Sequence, residues 1–307
     1  MDLRQLTYVL AVIDEGGFTA AAKSLGIAQP SLSQSVRGLE NELGVELFHR
    51  VGRSVVPTSA GEAIVGPARQ AVRAADAARS AVAGVVTLQG GRLDLVCLPT
   101  LSVDPVAELV GRFRRSAPGV RVRLEEPETG SLLEMVQTGA SEIGITEVGP
   151  RIVDLTATEL GRQDFAAVLP PSSTGGDWPK ASSAALGIDR LAGLPLITTP
   201  AGTSTRRLIE DAFGAHGLEP SIAVVSEHRE AIVPLVIGGS GMSILPTALA
   251  EEARRLGAVV RPITPRIQRR VGIVHRDAPL TPAGRLFVDL ALGRVPGHPP
   301  RPRARRR

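Results

Sequence analysis

The stretch from Phe18 to Arg50, FTAAAKSLGIAQPSLSQSVRGLENELGVELFHR, constrains this chain more than any other. Its pattern predicts two short helices across a tight corner, followed by a turn into a hairpin. The first helix covers Thr19–Leu25 and is stopped by Gly26, whose missing Cβ suits the left-handed residue that closes a helix. After the Gly26-Ile27-Ala28 corner, Pro30 suits the first helical position, where its lost N–H would be unpaired anyway. The second helix runs to Leu43, and Gly44 ends it. Within it Leu32, Val36, Leu39 and Leu43 recur at steps of four, three and four, which puts them on one narrow stripe to be buried. Pro30, Ser33, Gln34, Arg37 and Asn41 point the other way, with the hydroxyl, amide and guanidinium groups that read base edges in a major groove. Taken alone, the pair is either a helix-turn-helix or an ordinary amphipathic surface helix with its neighbour.

More of the chain decides between these. Residues 1–61 resemble, position by position, the N-terminal winged helix-turn-helix of the LysR-type transcriptional regulators: the stretch above is followed by Arg53 and by Pro57-Thr58-Ser59-Ala60-Gly61. The resemblance implies DNA binding, with Gln29, Pro30, Ser31, Ser33, Gln34 and Arg37 in the groove and Thr19 and Lys23 nearer phosphate. Arg53, at the tip of a wing spanning Val45–Pro57, resembles the family residue that reaches the minor groove or its phosphates. Gln34 stands where many relatives carry arginine, a departure that favours adenine over guanine. The operator expected from the family is an interrupted palindrome.

Around this head the chain is organised simply. Leu3, Leu6, Leu10 and Ile13 form a helical stripe that props the pair. From Thr58 the alanine-rich TSAGEAIVGPARQAVRAADAARSAV predicts one helix of about 28 residues, about 40 Å long, opened by a Ser59/Glu62 capping box. Its small-residue seam of Ile64, Ala68, Val72, Ala75 and Val82 favours pairing with a second such helix, and the family uses this helix to dimerise. Pro67 is a departure expected to kink it.

Beyond Gly90-Gly91 strands alternate with helices. Strands are predicted at Arg92–Leu98, Val120–Glu126, Ile143–Thr146, Phe165–Leu169, Leu196–Thr199, Ile222–Val225, Met242–Leu245, Val259–Arg261 and Arg269–His275. Helices are predicted at Asp104–Ser116, Ser131–Thr138, Ser204–His216, Arg229–Ile237, Thr247–Leu256 and Thr281–Leu292. This alternation implies parallel pairing in a doubly wound α/β domain. The family resemblance implies the same: a two-lobed, periplasmic-binding-protein-like α/β regulatory domain with two crossing strands. The expected division is residues 1–57 for the head, 58–89 for the linker helix, and 90–293 for the regulatory domain. Lobe I takes 90–162 and 268–293, lobe II takes 163–267, and 294–307 form a disordered tail.

Ligands of open α/β sheets bind outside the carboxyl ends of the strands. Those ends carry Thr100-Leu101-Ser102, Thr129-Gly130-Ser131, Thr146, Thr203-Ser204 and Glu227. Most precede helix starts, whose N–H groups favour an anion, although N-capping explains any one of them. Their convergence points to a small, carboxylate-bearing effector between the lobes. Glu227 leaves a zwitterion open.

Composition excludes other classes. Of the Arg/Lys surplus, residues 1–57 carry none, with five Arg/Lys against six Asp/Glu, whereas the tail from Arg294 carries six Arg and no acid. The case for DNA therefore rests on the motif and not on pI, and the tail is expected either to add sequence-independent DNA affinity or to serve as a solubilising end. No run of about eighteen apolar residues predicts a membrane span, and the acids within MDLRQLTYVLAVIDEGG speak against a secretory signal. The single Cys97 excludes a disulfide within the chain and suits a reducing cytoplasm; with apolar neighbours it reads as packing, or as a lone redox sensor. The five histidines lack ligand spacing, so no metal and no cofactor is expected. A solute-binding protein would match residues 92–293 alone, and an enzyme would need a nucleophile or acid–base pair that cannot be assembled here. The reading is a cytoplasmic, homotetrameric LysR-type regulator that binds dyad-symmetric DNA and a small effector, with RNA polymerase as a partner if it activates.

Overall fold

A computed structural model of the chain describes residues 1–51, 54–84, 91–150, 152–171, 178–179 and 184–294. The head comprises α1 (Leu3–Asp14), α2 (Phe18–Leu25), α3 (Gln29–Leu43) and a hairpin of β1 (Phe48–Val51) and β2 (Ser54–Pro57). Gly26 and Gly44 close α2 and α3 with φ of 66° and 72°, the left-handed values that favour glycine. Pro30 is the second residue of α3, since the helix begins at Gln29. Leu32, Val36 and Leu39 are fully buried, but Leu43 is 40% exposed; Leu47 and Phe48, beyond the turn, fill the core in its place. On α1 the buried face is wider than the predicted stripe and includes Tyr8, Val9 and Val12, while Leu3 stays exposed. The reason is that α1 packs against three helices at once.

Helix α4 (Ser59–Gly84) leaves the head. Its cap is Thr58 and not the predicted Ser59/Glu62 box: Thr58 Oγ1 accepts from Gly61 N at 3.0 Å and donates to the Glu46 carbonyl at 2.7 Å. The expected pairing seam is also revised. Ala68 is buried in the head's own core, with Ile64 and Val72 packed against the same cluster, so this part of the seam covers α1 within the chain. Asp14 and Arg69 add an ion pair at 2.5 Å. The helix continues through Pro67. Val82, Arg53 and the tail beyond Arg294 lie outside the described side chains.

The regulatory domain follows as β3 (Arg92–Cys97), α5 (Pro99–Leu101), a wide turn at Ser102–Val106, α6 (Ala107–Ser116), β4 (Arg121–Glu125), α7 (Thr129–Gln137), β5 (Ile143–Glu147), β6 (Thr156–Leu169), β7 (Leu186–Gly187) and α8 (Ile188–Ala192). It continues with β8 (Leu196–Thr198), α9 (Ser204–Gly214), β9 (Ile222–Val225), a turn at Arg229–Ala231, α10 (Ile232–Ile237), β10 (Ser243–Pro246), α11 (Thr247–Arg255), β11 (Val259–Thr264), β12 (Gln268–His275) and α12 (Pro282–Ala291). The main sheet runs β4-β3-β5-β12-β6-β11-β7, with β10 also on β6.

Parallel pairing holds for β3 with β4 and β5, for β8 with β9, and for β11 with β7. Elsewhere the expectation fails: β12 is antiparallel to β5 and β6, as are β10 and β11 to β6. The cause is β6, which is 14 residues long and not the five predicted. Its first half lies along β12 in lobe I and its second half enters lobe II, where Ala166 and Val168 face one core and Phe165, Ala167 and Leu169 the other, as strand alternation requires. The helix predicted from Asp104 starts earlier, at Pro99, and is interrupted where Asp104 is extended, the conformation that a following proline imposes. Short β7 and α8 lie between Leu169 and Leu196, where neither strand nor helix is predicted.

Gly61 is where head and linker touch most closely: a Cβ there would lie 2.1 Å from the Leu47 carbonyl oxygen. Replacing Gly61 with alanine should cost about 1–3 kcal/mol through this overlap, despite alanine's gain of up to about 1 kcal/mol in helix propensity. Urea unfolding of the full chain measures the net loss.

Candidate functional site

On the head, α3 is anchored by its buried stripe and turns Gln29, Pro30, Ser31, Gln34 and Arg37 to solvent, with Ser33 half-buried. Gln29 Nε2 donates to Ser33 Oγ at 2.9 Å, so the two present one polar unit. Thr19 and Lys23 are exposed on α2. Phe18 and Phe48 meet edge to face at 5.5 Å and tie α2 to the hairpin. Beside them opens a groove of about 940 Å³ that Ser33, Arg37, Asn41 and His49 help to line. His49 was not among the predicted readers; no periodic signal marks a hairpin residue.

The second site lies where the lobes meet. Arg269, on β12, is only 2% exposed. Its Nε and Nη2 donate to Gln163 Oε1 at 2.9 and 2.5 Å, Nη2 also to Thr100 Oγ1 at 2.5 Å, and Nη1 to Ser204 Oγ at 3.2 Å. The guanidinium rests over the Phe165 ring at 5.4 Å. These partners come from lobe I, lobe II and the crossing strand, and all are neutral. No carboxylate among the described residues forms an ion pair with Arg269. Burial pushes the guanidinium down from 12.5 to about 10, with Glu147 opposing that shift. Buried charges are ordinarily paired, and Arg269 is held here by neutral hydrogen-bond partners instead.

Of the predicted effector residues, Thr100 and Ser204 are brought together on Arg269. Thr203 caps α9 by accepting from Arg206 N, and shares a 2.6 Å hydrogen bond with Thr199. Thr146 is wholly buried in β5 with its hydroxyl unpartnered, and so is Thr198 at the end of β8. Others are not at the cleft floor. Leu101 packs in the lobe I core, Ser102 Oγ donates to its own Pro99 carbonyl at 2.7 Å, and Gly130, Ser131 and Glu227 are exposed. The Thr129 side chain lies outside the described set. Sequence reasoning missed Arg269 and Gln163; the one available signal was the Arg269-Arg270 pair near the start of the strand QRRVGIVH.

A joint connects the sites. A Cβ on Gly66 of α4 would meet the Thr138 carbonyl of lobe I at 3.8 Å. One turn on from Arg69, Arg73 is pushed down to about 10 by burial, a shift that the charges of Asp94 and Glu142 oppose. Glu142 itself accepts from Thr281 N and Oγ1 at 2.6 and 2.9 Å, and burial raises its carboxyl. The linker helix thus bears on lobe I through charge as well as packing. Cys97 is fully buried and its thiol is pushed up to about 12 by burial, so it is a packing residue.

These parts define a regulator whose helix-turn-helix head is carried by a long helix on a two-lobed effector-binding domain. The chain belongs to the LysR family: the model of the "bacterial regulatory helix-turn-helix protein, lysR family" matches residues 3–62, and that of the "LysR substrate binding domain" matches 87–296. A probable hydrogen peroxide-inducible genes activator of Mycobacterium avium is 30% identical over 273 residues, 88% of this chain and 86% of that protein. The RuBisCO operon transcriptional regulator of Allochromatium vinosum is 28% identical over 298 residues, 95% and 96%. The structure of full-length CbnR complexed with its target DNA matches with a TM-score of 0.68 at 26% identity, covering 96% of this chain and 99% of that one.

If Arg269 awaits an anion, its charge is a burden to the unliganded fold. Arg269→Met, which keeps the volume, should leave the unfolding free energy in chloride buffer unchanged or raised by up to about 3 kcal/mol, whereas Arg269→Ala should lower it by about 2 kcal/mol or more through the void. A large loss for the methionine variant in urea titrations would make Arg269 a purely structural keystone.

Proposed function

We propose that the head reads dyad-symmetric operator DNA through Gln29, Pro30, Ser31, Ser33, Gln34 and Arg37, with Thr19, Lys23 and Arg53 on the backbone. In this reading residues 1–57 form the head, 58–89 the linker, and 90–293 the effector-binding domain of a homo-oligomer. The effector is a small carboxylate, bound between the lobes against Arg269 with Thr100, Thr146, Thr203 and Ser204 around it. The observation that carries this reading is the buried guanidinium of Arg269, held by neutral groups from both lobes. A carboxylate matches it in charge and in fork geometry, and a ligand touching both lobes biases their closure by its differential affinity for the two arrangements. CbnR, in its complex with target DNA, supports operator binding by a chain of this length and organisation. Peroxide induction, named for the Mycobacterium avium relative, is not carried over: the single cysteine, Cys97, is fully buried, with its thiol pushed up to about 12.

Two measurements test the reading. Arg37→Ala should weaken binding to the DNA upstream of the protein's own gene by about 1–3 kcal/mol in fluorescence anisotropy; unchanged affinity removes Arg37 from the groove. In a thermal-shift screen of small carboxylates and their amides, carboxylates alone should stabilise the full chain, and Arg269→Met should abolish the response. Stabilisation by amides, or by carboxylates in the methionine variant, overturns the effector class.

A further inference from the structure

We propose that Glu128 is a built-in competitor for the effector's carboxylate, and that it latches the lobes together while it occupies that place. This rests on the carboxylate reading above and adds to it the identity of the competing group. Glu128 precedes α7 in lobe I, yet its side chain is spent on lobe II. Its Oε2 accepts from Ser204 N, at the start of α9, at 3.1 Å, and its Oε1 pairs with Arg229. The 11-residue α9 has the positive end that favours an anion, and Arg229 supplies a full charge beside it. The cradle is thus an anion site, and a carboxylate from the opposite lobe fills it.

Ser204 links this cradle to the buried cation. Its N–H serves Glu128 while its Oγ accepts from Arg269 at 3.2 Å. A carboxylate arriving at Arg269 therefore comes within one residue's breadth of Glu128, and two like charges at that range disfavour each other. Two observations independent of the helix end show polar capacity left unmet in the two lobes that meet here. The Thr146 and Thr198 hydroxyls are buried and unpartnered at the carboxyl ends of β5 and β8, and buried polar groups are ordinarily satisfied. The Nε of Arg229 is likewise buried without an acceptor, so the cradle has capacity that Glu128 leaves unused. Effector entry displaces Glu128, the new anion takes up the Ser204 N–H and Arg229, and the direct tie between lobes I and II is lost.

Acetate, small enough to replace one side-chain carboxyl, is the probe. The full-length chain and its Glu128→Ala variant are titrated with sodium acetate against sodium chloride at fixed ionic strength, following the thermal midpoint. The variant should show a saturable, acetate-specific rise with at least tenfold higher apparent affinity than the parent, and Glu128→Ala/Arg229→Met should lose it. Glu128→Gln, which keeps the shape and removes the charge, should show the same direction if the alanine variant folds poorly. Equal acetate responses in parent and variants, or a response that survives loss of Arg229, overturns the latch. Arg269→Met on the Glu128→Ala background separates the two proposals: an acetate response that persists there keeps the latch and counts against Arg269 as the receptor, whereas its loss supports both.

Discussion

The regulatory domain is organised around the pairing of two crossing strands, which holds a guanidinium at the waist where its two lobes meet. Arg269 and Gln163 are register partners on β12 and β6, so their side chains share one face, and Phe165 lies two residues along that same face under the cation. Because side chains alternate, a slip of one residue would send Arg269 to the opposite side of the sheet. Register here is fixed by the long pairing of the strands, which runs from Gln268 to His275 with one irregularity at Val271/Gly272. The crossing strands therefore do two things at once: they join the lobes, and they carry the charge that both lobes surround.

What happens at the waist can reach the head only through physical contact, and among the described residues α4 touches both the head and lobe I. Its first half is committed to the head, with Ala68 in that core and Arg69 paired to Asp14. Its next turn is committed to lobe I, where Arg73 sits near Asp94 and Glu142. The same short stretch of the helix, from Gly66 to Arg73, therefore touches the head on one side and lobe I on the other. Glu142 extends the chain of contact to α12 through Thr281, and a Cβ on Gly284 would collide with the Glu142 carboxylate at 2.6 Å. That corner is packed too tightly to absorb movement.

The head was legible in the sequence because local signals agreed: a helical stripe, two glycines at left-handed positions, and a family motif that fixed the order of elements. The lobes were legible as alternating strands and helices, but their pairing was not. The first half of β6, with Glu159, Arg162, Gln163 and Asp164, has one solvated side and lacks the apolar run that announces a buried strand. The effector site was legible only in part, since hydroxyls at strand ends are found by position. A charge buried by a partner strand is found only by register, which no local pattern reveals. For the same reason the sequence points to Glu227 and not to Glu128: both lie in loops between strand and helix, and only the fold shows that one faces solvent while the other bridges the lobes.

Magnitudes decide which anion wins at the waist. Glu128 and Arg229 are each about one-third exposed on their side chains, and pairs so placed contribute on the order of 1 kcal/mol or less after screening and side-chain ordering. Arg269 is nearly enclosed, and burial disfavours its charge, a penalty that Glu128, hydrogen-bonded to Ser204 N, does not relieve. A carboxylate placed against Arg269 offsets part of that penalty at the expense of its own desolvation, and a net gain of about 1.4 kcal/mol is enough for a tenfold change in an equilibrium. The latch is therefore weak enough to yield to a small anion and strong enough to bias the empty lobes. A switch needs both, because a ligand moves a two-state equilibrium only by the difference in its affinity for the two states.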